Sequence, residues 1–480
     1  MKSPILNNFR LTHFSLVAFV FLALGFFCYG ANLSLSIPLF LVLIGFYLWY
    51  QKRASRTVLL NLGLLLALIV FVSYTFIKYV PFFHLLIPVS AIGLLVILLY
   101  NDLQLAFLAS FVASVLVGFI LGNRFDLMIV YFLGSLVGAF SVKEARTRGQ
   151  LINAAFMISL VQVFSIVLFN PYPAFLLSRN FLFNYFWPLV LNGFFSAVIV
   201  MATLKVFEYL FGVVTNFSLL ELSDFNHPLL KKMILEAPGT YHHSLFVGNL
   251  AEAAADTVGA NTLLCRVGAY YHDIGKIDKP EYFTENQIFE ANKHDTLEPT
   301  MSRLVIFNHV KNGVEMSKQY HLHPVIVDFI EGHHGKSLMH YFYQKAVSEA
   351  QEGEIVDEQT FRYPGPKPQT REVAIVMLAD SVEGACRALE DPTPSRIDEL
   401  VRKIINNKFI DGQLDECALT LKDLELIGMT FTRVLSAMYH TRTKYPEKKN
   451  DNTNRRSKPS EANSSKAQPD HLNGRKNTSS

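Results

Sequence analysis

Apolar residues divide the chain into three unlike stretches. Residues 1–214 are built of long apolar runs with few charges; 215–446 space apolar positions at helical intervals among polar ones; 447–480 are Lys, Asn, Ser and Pro with almost nothing to bury. A helix that crosses a bilayer needs roughly 20 apolar residues. Eight runs approach that length: 12–32, 34–50, 57–77, 83–100, 102–122, 126–142, 151–169 and 183–212. The last carries Lys205 and Glu208, so its end is expected to continue out of the membrane as a connecting helix that could pair with its twin in a homodimer. The expected fold is all-α: a polytopic transmembrane helical bundle over 1–214, a cytosolic all-helical domain over 215–446, and a disordered polar tail over 447–480.

The first run is too long for a signal peptide, has no persuasive small-residue cleavage site, and is followed at once by further spans. Lys and Arg in short loops set the orientation. Lys2 and Arg10, then Lys52, Arg53 and Arg56, then Lys143, Arg146 and Arg148 fall on one side, expected to be cytosolic. The opposite loops hold Lys78, Arg124 and Arg179. Eight spans return the chain to the cytosol, so the second stretch is expected to face nucleotides. The runs contain few ionisable residues, which favours anchor or sensor over transporter.

Composition narrows the partners. The net charge of +3 gives no sign of a nucleic acid polymer. Four scattered cysteines, Cys28, Cys265, Cys386 and Cys417, form no CxxC spacing and fit a reducing compartment. The expected partners are the lipid bilayer and a nucleotide.

The chemistry lies in the second stretch. His272-Asp273 ends a helix expected from about Thr262, with Gly275 suiting a bend after it. At a fraying helix end both side chains can face one site, and a carboxylate has two oxygens, so Asp273 could bridge two ions. Upstream, Pro238-Gly239-Thr240 opens a helix with Thr240 as its expected cap, and His243 lies on it with the weaker candidate His242 beside it. Downstream, His309 sits in a helix over roughly Pro299 to Gln319. A helix begun at His323-Pro324 ends in Gly332-His333-His334-Gly335, where two glycines let the chain turn and aim both imidazoles. Asp380 ends the apolar run Val373 to Ala379 without a Lys or Arg one turn before it, and a buried carboxylate needs a partner or a metal. It is the expected fourth ligand for an ion held by His243 and His272. Lys276, one turn past Asp273, is either a surface lysine or a charge that meets a phosphate. His294, His321, His323 and His340 have no comparable setting and are expected to be structural. Imidazoles and carboxylates can hold two divalent ions, and paired ions suit the cutting of phosphate esters.

The order His…His-Asp…His…His-His…Asp resembles the HD-domain phosphohydrolases. The strings EAPGTYHHSL, RVGAYYHDIGK, FRYPGPKPQ and MLADSVEGACR resemble more closely the membrane-bound seven-transmembrane HD family of PgpH-type cyclic di-AMP phosphodiesterases. The resemblance implies an HD domain in which His243, His272, Asp273 and Asp380 hold one ion. Asp273 with His309, His333 and His334 would hold the other. It implies hydrolysis of cyclic di-AMP to linear pApA. The histidine-rich shell itself suits manganese or iron, and Asp273 and Lys276 are the expected catalytic residues. Other HD substrates are cyclic di-GMP, (p)ppGpp or a dNTP; a nucleotide receptor without turnover is the alternative of a different class. The HHE…GYP pattern of the cyclic di-GMP branch is absent, since Gly335 follows His333-His334. Family members commonly carry a large extracellular domain after the first span. Here only Gly30 to Ser36 stand in that place. The Phe361-Arg362-Tyr363-Pro364-Gly365 segment reads as a stiff loop, either a base-stacking element or a connector.

Overall fold

The computed structural model describes residues 56–169, 178–287, 292–351 and 355–439. The two expected spans at 12–32 and 34–50 and the polar tail at 447–480 lie outside the described residues. Among the described residues every regular element is helical, and the β contact is an isolated bridge between Leu338 and Arg362. The all-α expectation therefore holds.

Among the described residues six helices are long and apolar enough to cross a membrane, each on an expected run. They are α1 (Arg56–Tyr79), a 3-10 turn (Pro81–Leu86) continuing into α2 (Ser90–Tyr100), α3 (Leu103–Ile120), α4 (Phe125–Val142), α5 (Arg148–Phe169) and α6 (Trp187–Phe211). Pro88 explains the break before α2, because it has no N–H and disfavours helix at Ile87. Backbone freed inside a bilayer must find partners within the protein. The Asn192 side chain donates to the Leu85 and Ile87 carbonyls at 2.9 and 2.8 Å. The bundle keeps its polar groups inside: Ser90, Ser110, Ser135, Gln162 and Asn192 are fully buried, whereas Phe156, Leu160 and Phe164 point outward. That arrangement suits lipid, where interhelical hydrogen bonds and small residues hold helices together. The chain is a multi-pass membrane protein.

The helices alternate in direction. Ile77, His84, Leu121 and Arg124 line one end of the bundle, and Arg148, Lys205, Glu208 and Ser218 line the other. From that second end the chain enters the helical domain. Gly212 closes α6 in the left-handed region at φ +61°. The carboxylate of Glu208, buried at the end of α6, accepts from the Thr215 amide at 3.1 Å, from the Thr215 hydroxyl, and from the Ser218 hydroxyl at 2.7 Å. It thus caps α7 (Asn216–Leu222) from the preceding helix. At the far end of α7 the Tyr271 hydroxyl donates to the Leu222 carbonyl at 2.8 Å.

The rest of the domain is α8 (Pro228–Glu236), α9 (Pro238–Val258), α10 (Thr262–Tyr271), α11 (Pro299–Gln319), α12 (Pro324–Gly332), α13 (His340–Glu349), α14 (Arg371–Arg387), α15 (Pro394–Ile410) and α16 (Leu421–Met438). Two apolar cores separate the halves, one running from Leu62 to Phe207 and one from Leu219 to Ile330. The described residues up to Met438 nevertheless cluster as one compact unit. Thr240 is not the cap of α9, because Pro238 already occupies its first turn. The Thr240 hydroxyl instead donates to Glu285 at 3.1 Å.

Candidate metal centre

Five elements deliver the ligand-type side chains to one point. His243 comes from the second turn of α9, and His272 and Asp273 from the end of α10. His309 comes from the middle of α11, the His333-His334 pair from the end of α12, and Asp380 from α14. His243, His272, Asp273, His309 and His333 are buried. His242 is exposed, and His294 bonds the Tyr282 carbonyl at 2.9 Å, away from the cluster.

Asp273 is the hub. Its Oδ2 faces His272 Nε2 at 3.1 Å and His243 Nε2 at 3.5 Å. Its Oδ1 faces His309 Nε2 at 3.4 Å and His333 Nε2 at 3.5 Å. Asp380 Oδ1 lies 3.0 Å from His243 Nε2 and 3.8 Å from His272 Nε2, and its Oδ2 lies 3.7 Å from His334 Nδ1. Two groups of four result, His243/His272/Asp273/Asp380 and Asp273/His309/His333/His334, each with its ligand atoms within 4.8 Å of one another.

Three features fit these groups to cations. First, Asp273 Oδ1 and His272 Nε2 are buried with no hydrogen-bond partner. Orphaned polar atoms of that kind are costly without an ion or water. Second, the rear nitrogens are already committed. His272 Nδ1 meets the Ala269 carbonyl at 2.7 Å, His333 Nδ1 the Phe329 and Ile330 carbonyls at 3.0 Å, and His309 Nδ1 the Ile306 carbonyl. Such bonds fix the tautomer and aim Nε2 at a metal. Third, His309 and His333 then turn two lone pairs toward each other at 3.3 Å, an arrangement that a shared cation relieves.

The charges agree. Burial pulls His309 down to about 3 and His334 well below the usual imidazole range, so both are neutral donors. Burial would also lower His272, but Asp273 and Asp380 outweigh it and bring it up to about 10. Asp273 and Asp380 are held well below the carboxylate range; burial would raise both, but His272 and Lys276 beside Asp273, and His243 and His272 beside Asp380, prevail. Ligation requires neutral imidazole, so an entering cation displaces the His272 proton at pH 7. Apparent metal affinity is expected to rise with pH, up to about tenfold per unit for each displaced proton, and to level off as pH passes about 10. A metal titration in weak buffer reads this as acidification; no proton release would contradict it.

Lys276 is not a surface lysine. Its ammonium lies 2.7 Å from Asp273 Oδ2 and 2.8 Å from Glu285 Oε1, over the Phe283 ring. Gly275 is present for a reason other than a bend: a Cβ there would fall on the His309 carbonyl and 2.5 Å from the Gly313 amide nitrogen. Of the bracketing glycines, Gly335 is in the left-handed region at φ +56°. The Phe361–Gly365 segment contributes Tyr363, whose ring stacks on His334 at 4.2 Å.

Sequence reading missed Glu383. Its carboxylate takes His243 Nδ1 at 2.5 Å and is held in turn by Arg387 at 2.6 Å. The signal was its place one turn after Asp380 on the same helix face. Among the described histidines with Nε2 turned to Asp273, His243 has a carboxylate behind it where the others have carbonyls. Glu383→Ala is expected to lower affinity for an ion at the His243 group about 10–100-fold. Competition with a chelator of known affinity measures it, and an unchanged affinity would assign the orientation of His243 to other contacts.

A helical domain whose His-Asp doublet gathers dispersed histidines and a distant aspartate is an HD domain, and residues 240–385 match that family. Residues 26–215, which precede that domain, match the family described as a 7TM receptor with intracellular HD hydrolase. It is 37% identical to the cyclic-di-AMP phosphodiesterase PgpH of Bacillus subtilis, over 87% of this chain and 61% of that protein. It is 42% identical to the PgpH of Listeria monocytogenes, over 65% of this chain and 44% of that protein. The chain thus spans less than two thirds of the length of both relatives. The crystal structure of the L. monocytogenes PgpH HD domain in complex with cyclic-di-AMP is 48% identical, covers 45% of this chain and 100% of that one, and gives a TM-score of 0.44.

Proposed function

We propose that this chain hydrolyses cyclic di-AMP to linear pApA at the cytosolic face of a bacterial inner membrane, using two divalent ions. The observation that carries this reading is the two-sided use of Asp273, with one oxygen toward each ligand group. His243, His272, Asp273 and Asp380 would hold one ion, and Asp273, His309, His333 and His334 would hold the other. Manganese and iron suit so imidazole-rich a donor set. When bound, such a pair lowers the pKa of a water toward neutrality and offsets charge on the phosphate oxygens.

The chain's own residues do the rest. Lys276 holds Asp273 Oδ2 in place and is held by Glu285, which accepts in turn from Thr240. It acts by positioning the hub. His334 and Asp380 form the open edge of the centre, at 21% and 13% side-chain exposure, while the other ligands are at most 5% exposed. Substrate approaches from that edge. In the reaction the oxygen of water joins phosphorus, the P–O3′ bond breaks, and the 3′ oxygen leaves with the proton. The substrate assignment draws on the names of the two relatives and on the four sequence strings. The orientation draws on Lys143, Arg146 and Arg148, which lie at the end of the bundle from which the helical domain emerges.

The test is chromatography of products after incubating the purified chain with cyclic di-AMP and manganese. Linear pApA supports the reading. Saturable binding without product favours a receptor, and turnover of another nucleotide alone favours a different HD substrate.

A further inference from the structure

A cyclic dinucleotide carries two phosphodiester anions. On the function proposed above, on which this inference rests, the ions at Asp273 neutralise the one being cut. The second phosphate needs a cation of its own near the open edge of the centre.

Most cations around that edge already have partners. Lys276 is paired with Asp273 and Glu285, and Arg387 with Glu383. Arg362 is paired with Glu358 and Asp411, and Lys367 with Asp415 at 3.0 Å. Lys408 on α15 is different. Its ammonium donates to the Ser337 hydroxyl at 2.7 Å, and among the described residues no carboxylate forms an ion pair with it. The side chain is half-buried, and burial draws its pKa below the ordinary lysine range, with the charges of Asp380 and Asp411 opposing the shift. Holding an unpaired ammonium out of water is costly.

Its place explains the cost. Ser337 belongs to the turn that follows His333-His334, and its amide donates to the His334 carbonyl at 3.1 Å. Lys408 is therefore fixed to the same turn that presents His334 at the open edge. A lysine suits this task, as a compact point charge for a phosphate oxygen.

We propose that Lys408 binds the phosphate of cyclic di-AMP that is not being cut. Loss of a hydrogen bond to a charged group costs about ten- to hundredfold in affinity. The experiment compares wild type, Lys408→Gln and Lys408→Arg in the full membrane-embedded chain. It measures the Kd for cyclic di-AMP, its kcat/KM, and kcat/KM for bis(4-nitrophenyl) phosphate, which has one phosphate. In K408Q the Kd is expected to weaken by that factor, and the ratio of the two kcat/KM values to fall with it; K408R should recover most of both. A Kd in K408Q within twofold of wild type overturns the proposal. Equal loss on both substrates also overturns it, since Lys408 would then support the centre as a whole. If wild type binds cyclic di-AMP without cutting it, the catalytic reading fails and the Kd comparison still judges Lys408. If wild type does not bind cyclic di-AMP, both fall.

Discussion

Asp273→Ala should remove turnover almost entirely while leaving the helical fold in place. Losing an outer partner of a metal ligand costs about 10–100-fold, so losing the carboxylate common to both ligand groups should exceed about a thousandfold. The substitution removes both oxygens at once: the one facing His243 and His272, and the one facing His309 and His333. The fold survives because the charge left behind is not stranded. Lys276 keeps Glu285 at 2.8 Å. Circular dichroism and product analysis on one preparation check both parts. Residual turnover within tenfold of wild type would remove Asp273 from the role of hub.

Gly275→Ala should be among the most damaging single methyls in the domain. The 3-10 turn after α10 runs directly against α11, and the new Cβ would overlap the His309 carbonyl. Neither neighbour is a flexible side-chain end, so backbone must move. Overpacking costs about 1–3 kcal/mol and occasionally more, and a clash with backbone belongs at the upper end. It also shifts His309, so bound metal is expected to fall together with the melting temperature. Gly384→Ala provides the contrast. No atom lies within 4 Å of a Cβ built there, in the interior of α14, and alanine should stabilise that helix by about 0.5–1 kcal/mol. Thermal melts of the two variants beside wild type decide the matter; equal behaviour would mean that the close approach at Gly275 is not what the sequence requires.

Much of this was legible because the signals are local or one-dimensional. Apolar run length placed six membrane helices within a few residues of their ends. Helical spacing and the prolines at positions 299 and 324 placed α11 and α12. Ligand-type residues were legible because a His-Asp doublet at a helix end and a glycine-bracketed His pair are unusual local patterns. Three things were not. The start of α9 was put at Thr240 by capping preference, whereas Pro238 in the first turn decided it. Lys276 was left between surface and site, because its partner Glu285 reaches it through a turn that no periodicity marks. Glu383 was overlooked because its role exists only once α9 and α14 are packed, 140 residues apart in the chain. Gly275 was legible as a glycine that matters, but its cause is tertiary.

Anomalous diffraction from crystals of the chain grown with manganese would locate the ions. Two peaks are expected, one within reach of His243, His272 and Asp380, the other within reach of His309, His333 and His334, with Asp273 touching both. One peak, or two that do not share Asp273, would rule out the dinuclear centre.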